Sequence, residues 1–156
     1  MRLVMMGIAP LLVSCLILVA FGGIAMKDGL MERSEDAMEY LASAVRGAYD
    51  NMDGEYRIEG DNLYKGDYNI TENSDAMKSF IGKQEADVTL CFGKTRMATT
   101  LKESDGKAVI GTDISDKVWD TVKSGNTYVS SDLIINGEDY VVAYVPIYGT
   151  DGEVVG

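Results

Sequence analysis

Histidine is absent from all 156 residues, and that one absence removes histidine triads, histidine general bases and histidine-containing zinc sites together. Cysteine is nearly absent. Cys15 lies in an apolar run and Cys91 in a polar domain, so the two sit in different solvents and form no disulfide framework. Cys91, inside the alternating segment Val88 to Phe92, reads as a packed thiol. Basic side chains are scarce: 14 Lys and Arg face 25 Asp and Glu, a net charge of −11. Phosphate backbones are held by Lys and Arg, so nucleic acid is excluded as a partner. Tandem repeats, low-complexity segments, a phosphate-cradling loop and any nucleophile–base pairing are missing as well. The expectation is a protein that is not an enzyme and that has no cofactor and no metal site. An anchored hydrolase using acidic residues is the weakest reading, because surplus carboxylates are usually a solvated surface.

What is present begins with Leu3 to Met26, an uncharged stretch between Arg2 and Lys27. As a helix it would reach about 36 Å, enough for a bilayer core of roughly 30 Å. Leu12-Val13-Ser14-Cys15 resembles a lipoprotein processing box, but the apolar run continues well past Cys15 and is too long for the core of a cleaved signal. Residues 1–26 therefore read as a transmembrane signal anchor, in contact with the lipid bilayer through residues 3–26. Residues 27–156 read as one soluble domain outside the cytoplasm. Without Arg2 that part has 13 basic against 25 acidic side chains, a charge of −12 that suits a surface held off anionic lipid.

From Met26 to Met52 the apolar residues recur at helical spacing, including Leu41, Val45, Tyr49 and Met52, which predicts a long amphipathic helix ended by Asp53-Gly54. Its Met-rich face suits packing and dimerisation beside a second copy. Tyr56 to Tyr64 reads as one short irregular strand. Thr71 or Ser74 caps a short helix over Ala76, Met77, Phe80 and Ile81. Strands follow over Ala86–Phe92 and Thr95–Lys102, then a Ser104-Asp105-Gly106 turn leads into Ala108–Gly111. Asp113 or Ser115 caps a helix through Val118, Trp119 and Val122. Tyr128–Ile135, Asn136-Gly137 and Tyr140–Tyr148 form the strongest hairpin, and Asp151-Gly152 turns into a further strand at Glu153 that the sequence cuts off. The fold class is α+β: a transmembrane helix continuing into a long amphipathic helix, then an antiparallel sheet of about five strands. One sheet face packs on the long helix, and short helices roof a small pocket on the other.

Arg96 stands in an otherwise neutral strand and is expected to share a face with Ala98 and Thr100. A guanidinium there needs a partner: the carboxylate of a small ligand, or one of the chain's own acidic side chains. Tyr128, Tyr140 and Tyr144 offer apolar walls with hydroxyl handles, though each is also an ordinary packing residue. Thr99, Thr100 and Thr112 are candidate hydroxyl donors, with plain strand positions as the alternative. Trp119 reads as core.

Lys65-Gly66-Asp67, Val88-Thr89-Leu90 with Gly93, Thr95-Arg96 with Ala98-Thr99, Asp105-Gly106-Lys107 with Gly111-Thr112, and Val118, Val122, Gly125 and Tyr128 occur in this order. Asn136-Gly137, Tyr140, Tyr144-Val145-Pro146 and Asp151-Gly152 with Gly156 complete the series. From Leu63 to Gly156 the chain resembles the single Cache domain family, PAS-like extracytoplasmic sensors of bacterial chemoreceptors and other transmembrane signalling proteins. The resemblance implies a small-molecule ligand, a carboxylate or amino acid, and a chain that continues past Gly156 into a second membrane helix and a signalling region. Lys94 and Ala108 depart from the family pattern near the expected pocket entrance. The function expected is a ligand-sensing domain of a transmembrane chemoreceptor. The alternatives are the sensor of a histidine kinase or cyclic-dinucleotide enzyme, or a tethered protein-interaction or envelope module without a small ligand.

Overall fold

The computed structural model describes residues 29–102, 109–135 and 137–156. The expected membrane anchor, the Ser104-Asp105-Gly106 turn with Ala108, and Asn136 lie outside the described residues. Among the described residues no helix is long and apolar enough to cross a membrane.

Helix α1 covers residues 29–50. Leu41, Val45, Tyr49 and Met52 fall one turn apart along one side, and all four join the main apolar core. Asn51 and Met52 close the helix with N–H bonds to Gly47 O and Tyr49 O. The chain then enters a three-stranded antiparallel sheet of β1 (Tyr56–Glu59), β2 (Asn62–Lys65) and β3 (Tyr68–Asn69). The stretch expected to be one irregular strand is therefore a hairpin. Gly60, at φ 60°, supplies the left-handed residue that lets the chain reverse.

This small sheet is locked to the end of α1 by two glycines. A Cβ on Gly66 would lie 2.3 Å from Asp53 O, and one on Gly54 would lie 2.4 Å from Gly66 Cα. Only bare backbone allows that crossing. Tyr49 packs edge-on to Phe80 at 5.3 Å and tilted to Tyr68 at 6.5 Å, which ties α1 to the segment beyond β3. That segment is a 3-10 turn, Ser74–Met77, running into α2, Lys78–Ile81. Its N-cap is Asn73, with no side-chain cap bond. The expected cap Thr71 instead accepts from Leu63 N–H and donates to Met97 O, joining β2 to the next sheet.

β4 (Thr89–Phe92) pairs with β5 (Thr95–Thr99), and β6 (Tyr128–Ile135) pairs with β7 (Glu138–Tyr144), both antiparallel. Main-chain bonds extend these pairs. Residues 109–114 run along β5 through Val109 N–H to Leu101 O, Gly111 N–H to Arg96 O and Arg96 N–H to Thr112 O. Residues 147–149 turn back on 153–156, which also reach Gly93. α3 (Asp116–Val122) begins at Ser115, whose hydroxyl accepts from Val118 N–H. The fold is α+β, with a long N-terminal helix and small antiparallel sheets; in place of the one sheet of about five strands expected, the described residues pair locally into sheets of three, two and two strands. Its apolar interior is divided in two. Val45, Tyr49, Leu63, Ile70, Leu90 and Ala98 belong to the larger core on the α1 side. Ile114, Val118 and Val122 centre a smaller cluster beneath α3.

Candidate functional site

The site is made by an irregularity between β4 and β5. Leu90 pairs with Ala98 and Cys91 pairs with Arg96, so Met97 is an extra residue on β5, a bulge. Paired residues share a face, and neighbours along β4 point to opposite faces. Ala98 therefore goes with Leu90 into the α1-side core, while Arg96 goes with Cys91 to the α3 side. The expectation that Arg96 shares a face with Ala98 and Thr100 is overturned. One inserted residue reverses the side-chain alternation, as a one-residue slip in register would.

On that face, Arg96 Nη1 donates to Thr112 Oγ1 and to the main-chain oxygen of Asp113, both at 2.9 Å. Both acceptors are neutral. Among the described residues no carboxylate lies within ion-pair distance of the guanidinium. The carboxylate of Asp113, whose main-chain oxygen holds Arg96, is engaged elsewhere: it accepts from Thr95 Oγ1 at 2.8 Å and faces Lys94 Nζ at 3.6 Å. Lys94, the residue that departs from the family pattern, also meets Asp116 at 3.0 Å. Arg96 is thus oriented by hydrogen bonds to neutral acceptors.

Beside it stand the aromatic residues of the hairpin. Tyr128 and Tyr144 are directly paired across β6 and β7, with rings 6.3 Å apart in an edge-on arrangement. Burial pushes the Tyr144 phenol above its ordinary range, and the charge and hydrogen bond of Arg96 pull it partly back. Burial likewise raises the Cys91 thiol from its ordinary value near 9 to about 12, with Arg96 opposing the shift. Trp119, Cys91, Tyr128 and Tyr144 all pack on the Ile114–Val118–Val122 cluster, and Lys117 Nζ sits 5.4 Å from the centre of the Tyr128 ring. The result is a fixed cation beside an aromatic and aliphatic wall. Chemically it suits an anionic group with a small apolar body, and it contains no activated nucleophile.

Of the residues expected at the site, Arg96, Thr112, Tyr128 and Tyr144 come together. Thr99 and Thr100 do not. They are 2% and 4% exposed, and their hydroxyls serve the fold. Thr99 Oγ1 meets Thr89 Oγ1 at 2.6 Å, and Thr100 Oγ1 bonds Asp87 Oδ1 at 2.8 Å while accepting from Val88 N–H. Tyr140 lies on the Tyr144 face of β7 but four residues away, roughly 13 Å along a strand, next to Asp87 and Thr100. Cys91 and Trp119, read from sequence only as core, are walls of the site. The apolar spacing of Val118, Trp119 and Val122 was the available signal for Trp119. Nothing in the sequence placed Cys91 opposite Arg96.

No curated protein and no solved structure matches this chain. The family model described as single Cache domain 3 matches residues 68–156, a span that holds β3 to β7, α3 and every residue of the site. With a match over more than half of its length, the chain belongs to the single Cache domain 3 family.

Proposed function

We propose that this is the extracytoplasmic sensing domain of a transmembrane chemoreceptor, which binds a small carboxylate or amino acid at Arg96 and relays a change of shape across the membrane. The Cache family supplies the coarser statement, an extracellular small-molecule sensing module. The observation that carries the ligand class is Arg96 itself. It is a half-buried guanidinium oriented by two neutral acceptors, set against Tyr144 and Tyr128, and it suits bidentate recognition of a carboxylate. The module binds and does not catalyse. The apolar run at residues 3–26 serves as the anchor, with the acidic domain outside the cytoplasm.

Helix α1 supports a homodimer. Leu30 is 58% and Tyr40 74% exposed, apolar surface that a second copy would cover. In this reading the ligand favours one of two domain arrangements, and α1 with the last strand transmits the difference. A swing from 1:99 to 99:1 requires about 5.5 kcal/mol of differential affinity.

The test is a thermal-shift and calorimetric screen of the chain in detergent micelles against small carboxylates and amino acids. A stabilising hit is expected to lose about 30-fold or more in affinity in Arg96→Met, since a charged hydrogen-bond partner contributes roughly 2 kcal/mol or more. A hit with unchanged affinity in that variant removes Arg96 from the site.

A further inference from the structure

Two neighbouring cations, Lys94 and Arg96, reach the same residue and divide it. Arg96 Nη1 donates to the main-chain oxygen of Asp113 at 2.9 Å, while Lys94 Nζ stands 3.6 Å from its carboxylate. An aspartate carboxylate hangs one methylene from the backbone, so turning between staggered rotamers carries it from one cation towards the other. Arg96 is the stronger attractor in kind, because a guanidinium takes a carboxylate through two parallel hydrogen bonds. The carboxylate of Asp113 nonetheless stays with Lys94.

Its other partners explain the choice. Arg96 N–H bonds Thr112 O and Ile114 N–H bonds Lys94 O, which sets Thr95 and Asp113 directly opposite each other. Opposed residues without mutual main-chain bonds bring their side chains closest, and Thr95 Oγ1 donates to Asp113 Oδ1 at 2.8 Å. Lys94 Nζ is placed in turn by Asp116, in the first turn of α3, at 3.0 Å. The Asp113 charge still reaches the site. Behind the burial that dominates the Cys91 thiol, Arg96 lowers it and Asp113 raises it.

We propose that Lys94 and Thr95 are positioning residues of the ligand site: they hold the Asp113 carboxylate off Arg96 and keep the guanidinium open for the carboxylate of a ligand. Released, Asp113 becomes an internal competitor, and apparent affinity falls with the fraction of molecules in which Arg96 is taken. The inference rests on the reading of Arg96 as the ligand anchor. The hold on Asp113, however, is a property of the ligand-free chain and is measured without any ligand. The Lys94 and Asp113 side chains are 42% and 48% exposed, so substitutions there leave both apolar cores intact. Removing Lys94 alone shifts the balance by about fivefold at most, the scale of an exposed ion pair. Removing the Thr95 hydroxyl as well takes away a hydrogen bond to a charged group and extends the shift to about tenfold or more.

The experiment compares the full chain, a Lys94→Met/Thr95→Val double variant and a triple variant that adds Asp113→Asn, all in detergent micelles. Nitrogen NMR of the arginine side chains reads the ligand-free proteins. The Arg96 signals are expected to move and its guanidinium rotation to slow in the double variant, and both to return to the parent values in the triple. Acetate is then titrated as the probe. Its affinity is expected to fall about tenfold in the double variant and to recover to within about twofold of the parent in the triple. Arg96 signals that are the same in the parent and the double variant overturn the proposal. So does a loss of acetate affinity that persists in the triple variant, since that makes Lys94 a general attractive charge. If acetate moves no signal in any chain while Arg96 responds to the double substitution, the carboxylate reading of Arg96 falls and the hold on Asp113 stands.

Discussion

Cys91 gives the sharpest quantitative test of the packing around the site. Its thiol is held up to about 12 by burial, against an ordinary value near 9. An acid whose folded pKa is raised stabilises the fold fully below the unfolded pKa, and that contribution is lost as pH climbs towards the folded value. At pH 10 the unfolded thiol is about nine-tenths ionised and the folded one almost wholly protonated, which favours unfolding by about 1.4 kcal/mol. At pH 7.5 the same term is close to zero. Buried tyrosines also weaken the fold in alkali: burial raises Tyr49, Tyr56 and Tyr144. The loss from Tyr49 and Tyr56 is common to a Cys91→Ala variant and cancels in the difference, while Tyr144, raised in part by Cys91 itself, adds to the parent's loss. Urea unfolding at pH 7.5 and pH 10 should therefore show the parent chain losing about 1.4 kcal/mol more than Cys91→Ala over that interval. The variant is less stable at neutral pH because it leaves a small void, but its alkaline slope is shallower. Parallel losses in the two proteins would refute the raised thiol, and with it the packing of Cys91 against the α3-side cluster.

Two further substitutions test the frame that holds the site. Gly66→Ala meets both a positive φ of 55° and the Asp53 oxygen, whereas Gly60→Ala meets only a positive φ of 60° in open space. Backbone strain accounts for about 1–3 kcal/mol in each, so the Gly66 variant should lose clearly more in urea unfolding, and equal losses would refute the glycine crossing. Ser115→Ala removes the hydroxyl that accepts from Val118 N–H and should lower stability by about 1 kcal/mol, read from the urea midpoint; an unchanged midpoint would deny the cap.

Some elements were legible because their signals are local. The four-residue spacing of Leu41, Val45 and Tyr49 predicted α1 and the face it buries, and all three lie where that pattern puts them. Asp113 or Ser115 was expected to open α3, and Ser115 does; Gly125 follows its end, and the two strands of the last hairpin flank Asn136-Gly137 as expected. Other elements were misread for the same reason. Weak alternation from Tyr56 to Tyr64 hid a reversal at Gly60, and Thr71 looked like a cap although its hydroxyl bridges two sheets 26 residues apart.

The sequence by itself determined the α+β class, the helix face that meets the core, and a short list containing Arg96, Thr112, Tyr128 and Tyr144, because periodicity, turn chemistry and a lone cation are written in consecutive residues. Tertiary structure alone decided which of the listed residues meet. The Met97 bulge turns Arg96 away from Ala98 and towards Cys91, and a bulge is set by how two strands fit together and not by the composition of either.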